Sequence, residues 1–240
     1  MIEKFADIGG MNTFIVHPER GGPHPVILFF MDAPGIREEL RNMARRLASV
    51  GYYVMLPNLF YRSGVEELGN FIGEEGAATR KKMFALIGTI NIPLVMADTD
   101  ALIAFADADP AASKGAIGTV GYCMSGQYAI SAAAHRPDRV RAAASFYGVR
   151  LKTDAPDSPH LAARKGRAEI YVAWAETDHY APLDELEPFR QSLAGLKAEV
   201  ELYKGAEHGF AFPERPAYNR DAAERHWERL FALYGRTLRS

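Results

Sequence analysis

Ala116-Ile-Gly-Thr-Val-Gly-Tyr-Cys123-Met-Ser-Gly126 is a run of small and apolar residues that continues into an alanine-rich segment. This pattern predicts a strand that turns abruptly into a helix. Such a turn raises the side chain at its apex out of the backbone, where that side chain can act as a nucleophile. The turn needs small residues two positions to either side of the apex. Cys123 has Gly121 and Ser125 there, whereas Ser125 has Cys123 and Gln127, so Cys123 is the predicted nucleophile and Ser125 the alternative.

The rest of the chain alternates between apolar runs of strand length and stretches with helical periodicity, which is typical of a mostly parallel sheet covered by helices on both faces. The predicted strands are Thr13–His17, Pro25–Met31, Tyr52–Pro57, Ala116–Gly121, Arg141–Tyr147, Glu169–Ala175 and Ala198–Tyr203. The predicted helices cover about 36–50, 92–108, 124–135, 183–195 and 217–236.

Length and charge limit the functions to be considered. The 240 residues suit a single α/β domain (1–240), in which the glycine-rich excursion at 62–91 is a candidate partial lid. A net charge of −2 gives no support to nucleic-acid binding, and no apolar run approaches the length of a membrane span. With one cysteine and no basic-then-apolar N-terminus, we expect a cytoplasmic protein, a monomer or homodimer, with no metal and no cofactor.

A cysteine nucleophile requires an acid and a histidine. Candidates for both follow Cys123 in the chain, in the order nucleophile, acid, histidine. Asp178 lies in the turn after the strand 169–175, with Glu176 as the reserve acid. His208 follows the last predicted strand and is the predicted base. His179 comes too early to be the base and is a candidate pocket residue. The contexts of the remaining histidines predict solvated side chains: His17, His24, His135, His160 and His226.

Backbone N–H groups are the expected donors to the oxyanion of the reaction. One should belong to Met124, the residue after the nucleophile. The other should come from the loop after the strand 25–31. Because Pro34 has no N–H, Ala33 is the predicted donor, with Gly35 and Ile36 behind it.

Three motifs resemble the dienelactone hydrolase family, the cysteine branch of the α/β-hydrolases. They are Gly-Tyr-Cys-Met-Ser-Gly (121–126), Asp-His-Tyr-Ala-Pro (178–182) and His-Gly-Phe (208–210), and the stretch Leu56–Arg62 is also similar. The resemblance extends from about Val26 to Phe210. It implies the α/β-hydrolase fold and a triad of Cys123, Asp178 and His208. It also implies hydrolysis of a lactone or ester through a thioester, without a metal.

The sequence departs from the family at positions that touch the thiol and the substrate. Where the family has a glutamate that contacts the thiol, this chain has the shorter Asp32. Of the two arginines with which the family holds a substrate carboxylate, Arg80 matches one by spacing, and Phe212 replaces the other. We therefore expect a less anionic or larger substrate than the family's dienelactone. Tyr147 is a further candidate pocket residue.

Three functional hypotheses follow. The first is a hydrolase of small esters or lactones that uses the Cys123 thiol. The second is an esterase of the same fold that uses Ser125. The third is a hydrolase-fold binding protein with little turnover, suggested by the shorter Asp32 and the uncharged Phe212.

Overall fold

A computed structural model describes residues 1–239 and shows alternating strands and helices. The strands are β1 (Ile2–Ile8), β2 (Met11–His17), β3 (His24–Phe30), β4 (Tyr53–Pro57), β5 (Ala112–Tyr122), β6 (Val140–Phe146), β7 (Glu169–Thr177) and β8 (Ala198–Glu207). The α-helices are α1 (Glu38–Ser49), α2 (Ala77–Ile87), α3 (Ile92–Ala108), α4 (Gly126–His135), α5 (Pro159–Ala163), α6 (Leu186–Ser192) and α7 (Arg220–Leu238). Short 3-10 turns occupy Tyr61–Ser63, Cys123–Ser125 and Leu183–Glu185.

The chain divides into two compact units, the first of which is Met1–Ala116. In this unit the strands neighbour one another in the order β1, β2, β4, β3. The pairs β1–β2 and β2–β4 are antiparallel, and β3–β4 is parallel. Every residue of β4 is buried, as expected for a strand covered on both faces. Helix α1 buries the apolar stripe formed by Leu40, Met43 and Leu47.

The second unit begins at Ile117 and is parallel throughout: β5 pairs with β6, β6 with β7 and β7 with β8. The small residues Ala142, Ala143 and Ala144 in the middle of β6 are wholly buried. Helix α4 packs against β6. Parallel strands place their carboxyl ends at one edge, where α/β proteins bind their ligands. The segments after β5, β6, β7 and β8 therefore meet at one edge of this unit.

The predicted fold class is confirmed, with strands that pair mostly in parallel and helices between them. Strand β1 was not predicted, because it exposes Ile2 and Phe5 instead of showing a continuous apolar run. The five-residue helix α5 was not predicted either. The predicted helix at 183–195 is a 3-10 turn followed by α6, which ends at Ser192.

The excursion at 62–91 contains α2, and an ion pair between Arg62 and the buried Asp98 links its start to α3. The guanidinium of Arg62 donates to both carboxylate oxygens of Asp98, at 2.7 and 2.8 Å, and the hydroxyl of Tyr61 donates to the same carboxylate at 2.9 Å. Asp98 is almost completely buried on α3. Closure of this segment over a site stays a prediction.

Three histidines correct the prediction of solvated side chains, because His17, His24 and His226 are buried. The rings of His17 and His24 lie 6.1 Å apart, and burial, followed by the charge of His17, lowers the pKa of His24. His226 on α7 contacts the hydroxyl of Tyr122 through Nε2 at 2.6 Å. This contact anchors the residue that immediately precedes Cys123.

Residues 1–239 contain neither a single membrane-spanning helix nor a metal-binding cluster of side chains. No single helix there is both long and apolar enough to cross a membrane, although α2 and α3 together reach that length with a bend of 85° between them. Within the same residues, no cluster of three or more His, Cys, Asp or Glu side chains is arranged to hold a metal ion.

Candidate active site

Cys123 lies at the apex of a sharp turn between β5 and α4. Its φ of 55° is in the left-handed region, which side chains with a Cβ rarely adopt. A 3-10 turn over Cys123–Ser125 follows, and α4 begins at Gly126. The cysteine is partly exposed. Backbone strain of this kind is concentrated at functional sites, and the strand–turn–helix arrangement displays the side chain at the carboxyl edge of the strands.

Two glycines make this turn possible. A Cβ on Gly121 would overlap the backbone carbonyl of Ser125, and a Cβ on Gly126 would overlap the hydroxyl of Ser145 and lie 2.7 Å from the Cα of Gly148. The second position that needs a glycine is therefore 126 and not 125. Ser125 has an ordinary right-handed conformation, and its side chain is completely buried.

Replacement of Gly121 with alanine should lower the free energy of unfolding by about 3 kcal/mol or more, because the new methyl group meets backbone atoms that cannot move aside. Urea unfolding would measure this loss. The matched control is Gly235→Ala in α7, where a Cβ meets no atom within 4 Å. That substitution should raise stability by about 0.5–1 kcal/mol. Equal stability of the two variants would contradict the proposed geometry of the turn.

Asp178 and His208 follow β7 and β8, and the structure brings them together. Nδ1 of His208 lies 2.7 Å from Oδ2 of Asp178. The other carboxylate oxygen, Oδ1, accepts from the backbone N–H groups of Tyr180 at 2.8 Å and Ala181 at 3.1 Å. The carboxylate is wholly buried, so its orientation is set by these three hydrogen bonds. The reserve acid Glu176 instead accepts from the backbone N–H of Gly205.

The remaining ring nitrogen of His208, Nε2, is buried and has no well-aligned hydrogen-bond partner among residues 1–239. Burial of the ring opposes its charged form. The charge of Cys123 and the hydrogen bonds to Asp178 and Cys123 outweigh this effect and raise the pKa of His208 to about 9. Because Nδ1 is occupied by Asp178, the interaction with the Cys123 thiol falls to Nε2. Loose alignment is common at such sites before a substrate binds.

Two tyrosine rings enclose the imidazole of His208. The ring of Tyr147 lies 5.0 Å from it and that of Tyr180 lies 4.9 Å from it, both in edge-to-face geometry. Tyr147 is buried and has a left-handed φ of 38°. The next residue but one, Val149, donates its backbone N–H to the carbonyl of Cys123 at 3.1 Å. The loop after β6 therefore contacts both the turn at Cys123 and the ring of His208.

The predicted oxyanion donors lie in separate units. Met124 is buried in the 3-10 turn directly before α4, where backbone N–H groups lack intrahelical acceptors. Ala33 is buried in a turn closed by a hydrogen bond of 3.0 Å from the N–H of Gly35 to the carbonyl of Asp32. Because this bond uses the N–H of Gly35, it disfavours Gly35 as a reserve donor.

Asp32 is completely buried and forms a bidentate pair with Arg37 that the sequence analysis missed. The two guanidinium nitrogens of Arg37 lie 2.5 and 3.2 Å from the two carboxylate oxygens. Arg37 also donates to the carbonyl of Gly35 at 3.1 Å and packs over the ring of Phe71 at 5.5 Å. The role of Asp32 beside the thiol stays a prediction.

The candidate pocket residues have different environments. Arg80 donates to the carbonyls of Phe71 at 2.9 Å and Gly73 at 2.6 Å and so braces the excursion. Contact of Arg80 with a substrate stays a prediction. His179 is exposed, and its ring lies 5.5 Å from that of Tyr180.

The side chain of Phe212 is fully buried, and contact of Phe212 with a substrate stays a prediction. Its ring packs against Tyr122 at 5.4 Å and Tyr147 at 6.2 Å. The guanidinium of Arg215 lies 5.0 Å from the Phe212 ring centroid. Position 212 is therefore part of the packing behind the histidine.

Residues 11–238 match the dienelactone hydrolase family. A protein of Methylorubrum extorquens named "Putative carboxymethylenebutenolidase" is 30% identical over 237 residues, which cover 95% of this chain and 78% of the relative. A protein of the same name from Escherichia coli K12 is 30% identical over 235 residues, which cover 94% of this chain and 83% of the relative. The crystal structure of a "Putative Dienelactone Hydrolase" from Klebsiella pneumoniae covers 98% of each chain with a TM-score of 0.86 and 25% identity. The chain belongs to the dienelactone hydrolase family.

Proposed function

We propose that this protein hydrolyses small carboxylic esters or lactones through a thioester on Cys123, with His208 as acid and base and Asp178 as the residue that orients His208. Membership of the family supports the reaction class. The observation that carries the assignment of residues is the left-handed, partly exposed Cys123 at the end of β5, together with the contact of 2.7 Å between Nδ1 of His208 and Oδ2 of Asp178.

In the first half of the reaction, the Cys123 thiolate attacks the carbonyl carbon and the carbonyl oxygen becomes an oxyanion. The bond to the leaving oxygen then breaks, and Nε2 of His208 gives that oxygen a proton. The product is a thioester on Cys123 and an alcohol, which remains attached to the acyl group when the substrate is a lactone. A histidine with a pKa of about 9 carries this proton at neutral pH.

In the second half, Nε2 of His208 accepts a proton from water while the water oxygen attacks the thioester carbon. The carbon–sulfur bond breaks, which restores the thiolate, and the carboxylic acid departs. The N–H of Met124 is the proposed donor to the oxyanion in both halves, and Ala33 stays the predicted second donor. In related chemistry, one such donor stabilises the transition state by about 2.7–4 kcal/mol.

Cys123 is favoured over Ser125 as the nucleophile by its position. Cys123 is strained and partly exposed, whereas Ser125 has a relaxed helical conformation and is completely buried. A buried hydroxyl two residues past the apex of the turn cannot meet a substrate carbonyl without a change in the turn.

Alkylation tests the proposal directly, because Cys123 is the only cysteine in the sequence. Iodoacetamide should abolish hydrolysis of short p-nitrophenyl esters as one label is incorporated, and intact mass spectrometry should detect one acyl group on Cys123 during turnover. Full activity of the labelled protein, together with inactivation by a serine-directed organophosphonate, would instead support Ser125.

A further inference from the structure

Tyr180 is an exposed aromatic residue whose backbone is fixed. Its N–H donates to Oδ1 of Asp178 at 2.8 Å, and the carbonyl of the next residue, Ala181, accepts from Nε1 of Trp174 at 2.9 Å. The backbone at 180–181 is therefore tied to the proposed acid on one side and to a buried tryptophan on the other. The Tyr180 side chain nevertheless remains 51% exposed.

The ring of Tyr180 also packs against the ring of His208. The two ring centroids are 4.9 Å apart with an interplanar angle of 63°. The ring of Tyr147 lies 5.0 Å from the His208 ring, but Tyr147 is only 1% exposed. Of the two tyrosines that enclose the imidazole, Tyr180 alone presents aromatic surface to a molecule arriving from solvent.

The chemistry of the reaction decides which part of a substrate reaches this surface. In the proposed mechanism, Nε2 of His208 gives its proton to the leaving oxygen, so that oxygen comes within hydrogen-bond distance of the His208 ring. The group attached to the oxygen then extends from a point beside the imidazole. The Tyr180 ring borders the same imidazole, whereas Met124, the proposed oxyanion donor, belongs to the turn before α4.

The geometry points to Tyr180 as a specificity-determining residue that binds the alcohol portion of the substrate and favours alcohols that carry an aromatic ring. This inference rests on the proposed function, because it uses the place of the leaving oxygen beside His208. A tyrosine on a fixed backbone offers a large contact area at a small entropic cost, and aromatic pairs prefer edge-to-face or offset packing.

The hydroxyl of Tyr180 has no hydrogen-bond partner within residues 1–239. The ring, not the hydroxyl, is therefore the feature expected to matter. Tyr180→Phe keeps the ring and should behave like the wild type, whereas Tyr180→Ala removes it.

The experiment compares three esters. Benzyl acetate and ethyl acetate share their acyl group and differ by an aromatic ring in the alcohol, and ethyl phenylacetate carries the ring on the acyl side instead. Tyr180→Ala should lower the ratio of kcat/KM for benzyl acetate to that for ethyl acetate by about fivefold to tenfold, the size expected for loss of one aromatic pair. Turnover of ethyl phenylacetate should change little. Phe5→Ala removes an aromatic side chain that is 61% exposed on β1 and serves as the control.

The outcomes separate this inference from the proposed function. A benzyl-to-ethyl ratio that is unchanged in Tyr180→Ala overturns the inference while leaving the thioester mechanism intact. An equal loss of activity towards all three esters also overturns it, because Tyr180 would then support the site without distinguishing alcohols. A wild-type protein that hydrolyses none of the three esters overturns this inference, and it overturns the proposed function as well only if p-nitrophenyl esters and lactones are not hydrolysed either. Circular dichroism of each variant establishes that the fold is retained.

Discussion

Cys123→Ala should lower kcat/KM for p-nitrophenyl esters by about 10⁴-fold or more, because it removes the sulfur on which the proposed acyl intermediate forms. The substitution keeps a Cβ at the left-handed position, so the strain in the turn is unchanged and the fold should be retained. Steady-state kinetics on the purified variant, with its melting temperature compared with that of the wild type, measures this effect.

The matched control for Cys123→Ala is Ser125→Ala in the same turn. Ser125 is completely buried, and its loss should leave turnover close to the wild-type rate. The opposite result, in which Cys123→Ala retains turnover and Ser125→Ala loses it, would contradict the proposed mechanism. Wild-type turnover in both variants would exclude both residues as the nucleophile.

Asp178→Asn should lower kcat/KM by about 10³- to 10⁴-fold, because it traps His208 in the wrong tautomer. The backbone N–H groups of Tyr180 and Ala181 both donate to Oδ1, so the carbonyl oxygen of an asparagine must occupy that position. Its amide nitrogen then replaces Oδ2 and donates towards Nδ1 of His208. The proton of the neutral imidazole moves to Nε2, which can no longer accept a proton.

The pH dependence of activity should change with the same substitution. In the wild type, the proton that His208 gives to the leaving group is lost as the pH rises through about 9, so the rate should fall above that pH. Asp178→Asn removes a charge and a hydrogen bond that raise the His208 pKa, so this fall should move to lower pH. Histidine NMR titration and pH–rate profiles would measure both. An unchanged profile, or activity equal to that of the exposed control Asp184→Asn, would exclude the orienting role of Asp178.

Local patterns explain why the turn at Cys123 was predictable. Cys123 is surrounded by small residues that a strand-to-helix turn requires, and Gly121 meets the backbone of Ser125 only four residues away. The role of Gly126 was harder to predict, because the atoms that exclude a Cβ there belong to Ser145 and Gly148 after a different strand. Such contacts form only when β5 and β6 pair.

Burial and side-chain pairing account for most of what the sequence analysis missed. His226 lies on a helix with polar neighbours, and its burial depends on contact with Tyr122, 104 positions earlier. The pair of Asp32 and Arg37 spans a turn rather than one face of a helix, so helical spacing gave no indication of it. The proximity of Tyr180 to His208 likewise depends on the pairing of β7 with β8.

The left-handed φ at position 123 does not depend on the sulfur atom. It depends on the close backbone contacts at Gly121 and Gly126 and on the hydrogen bond from the N–H of Val149 to the carbonyl of Cys123. Any residue with a Cβ placed there would be presented at the same point and in the same direction. The backbone therefore sets the position of the reactive atom, whereas the side chain sets its chemical identity. A hydroxyl or a selenol could be exchanged for the thiol at a single codon, and differences in rate between such versions would report the chemistry of the atom rather than its placement.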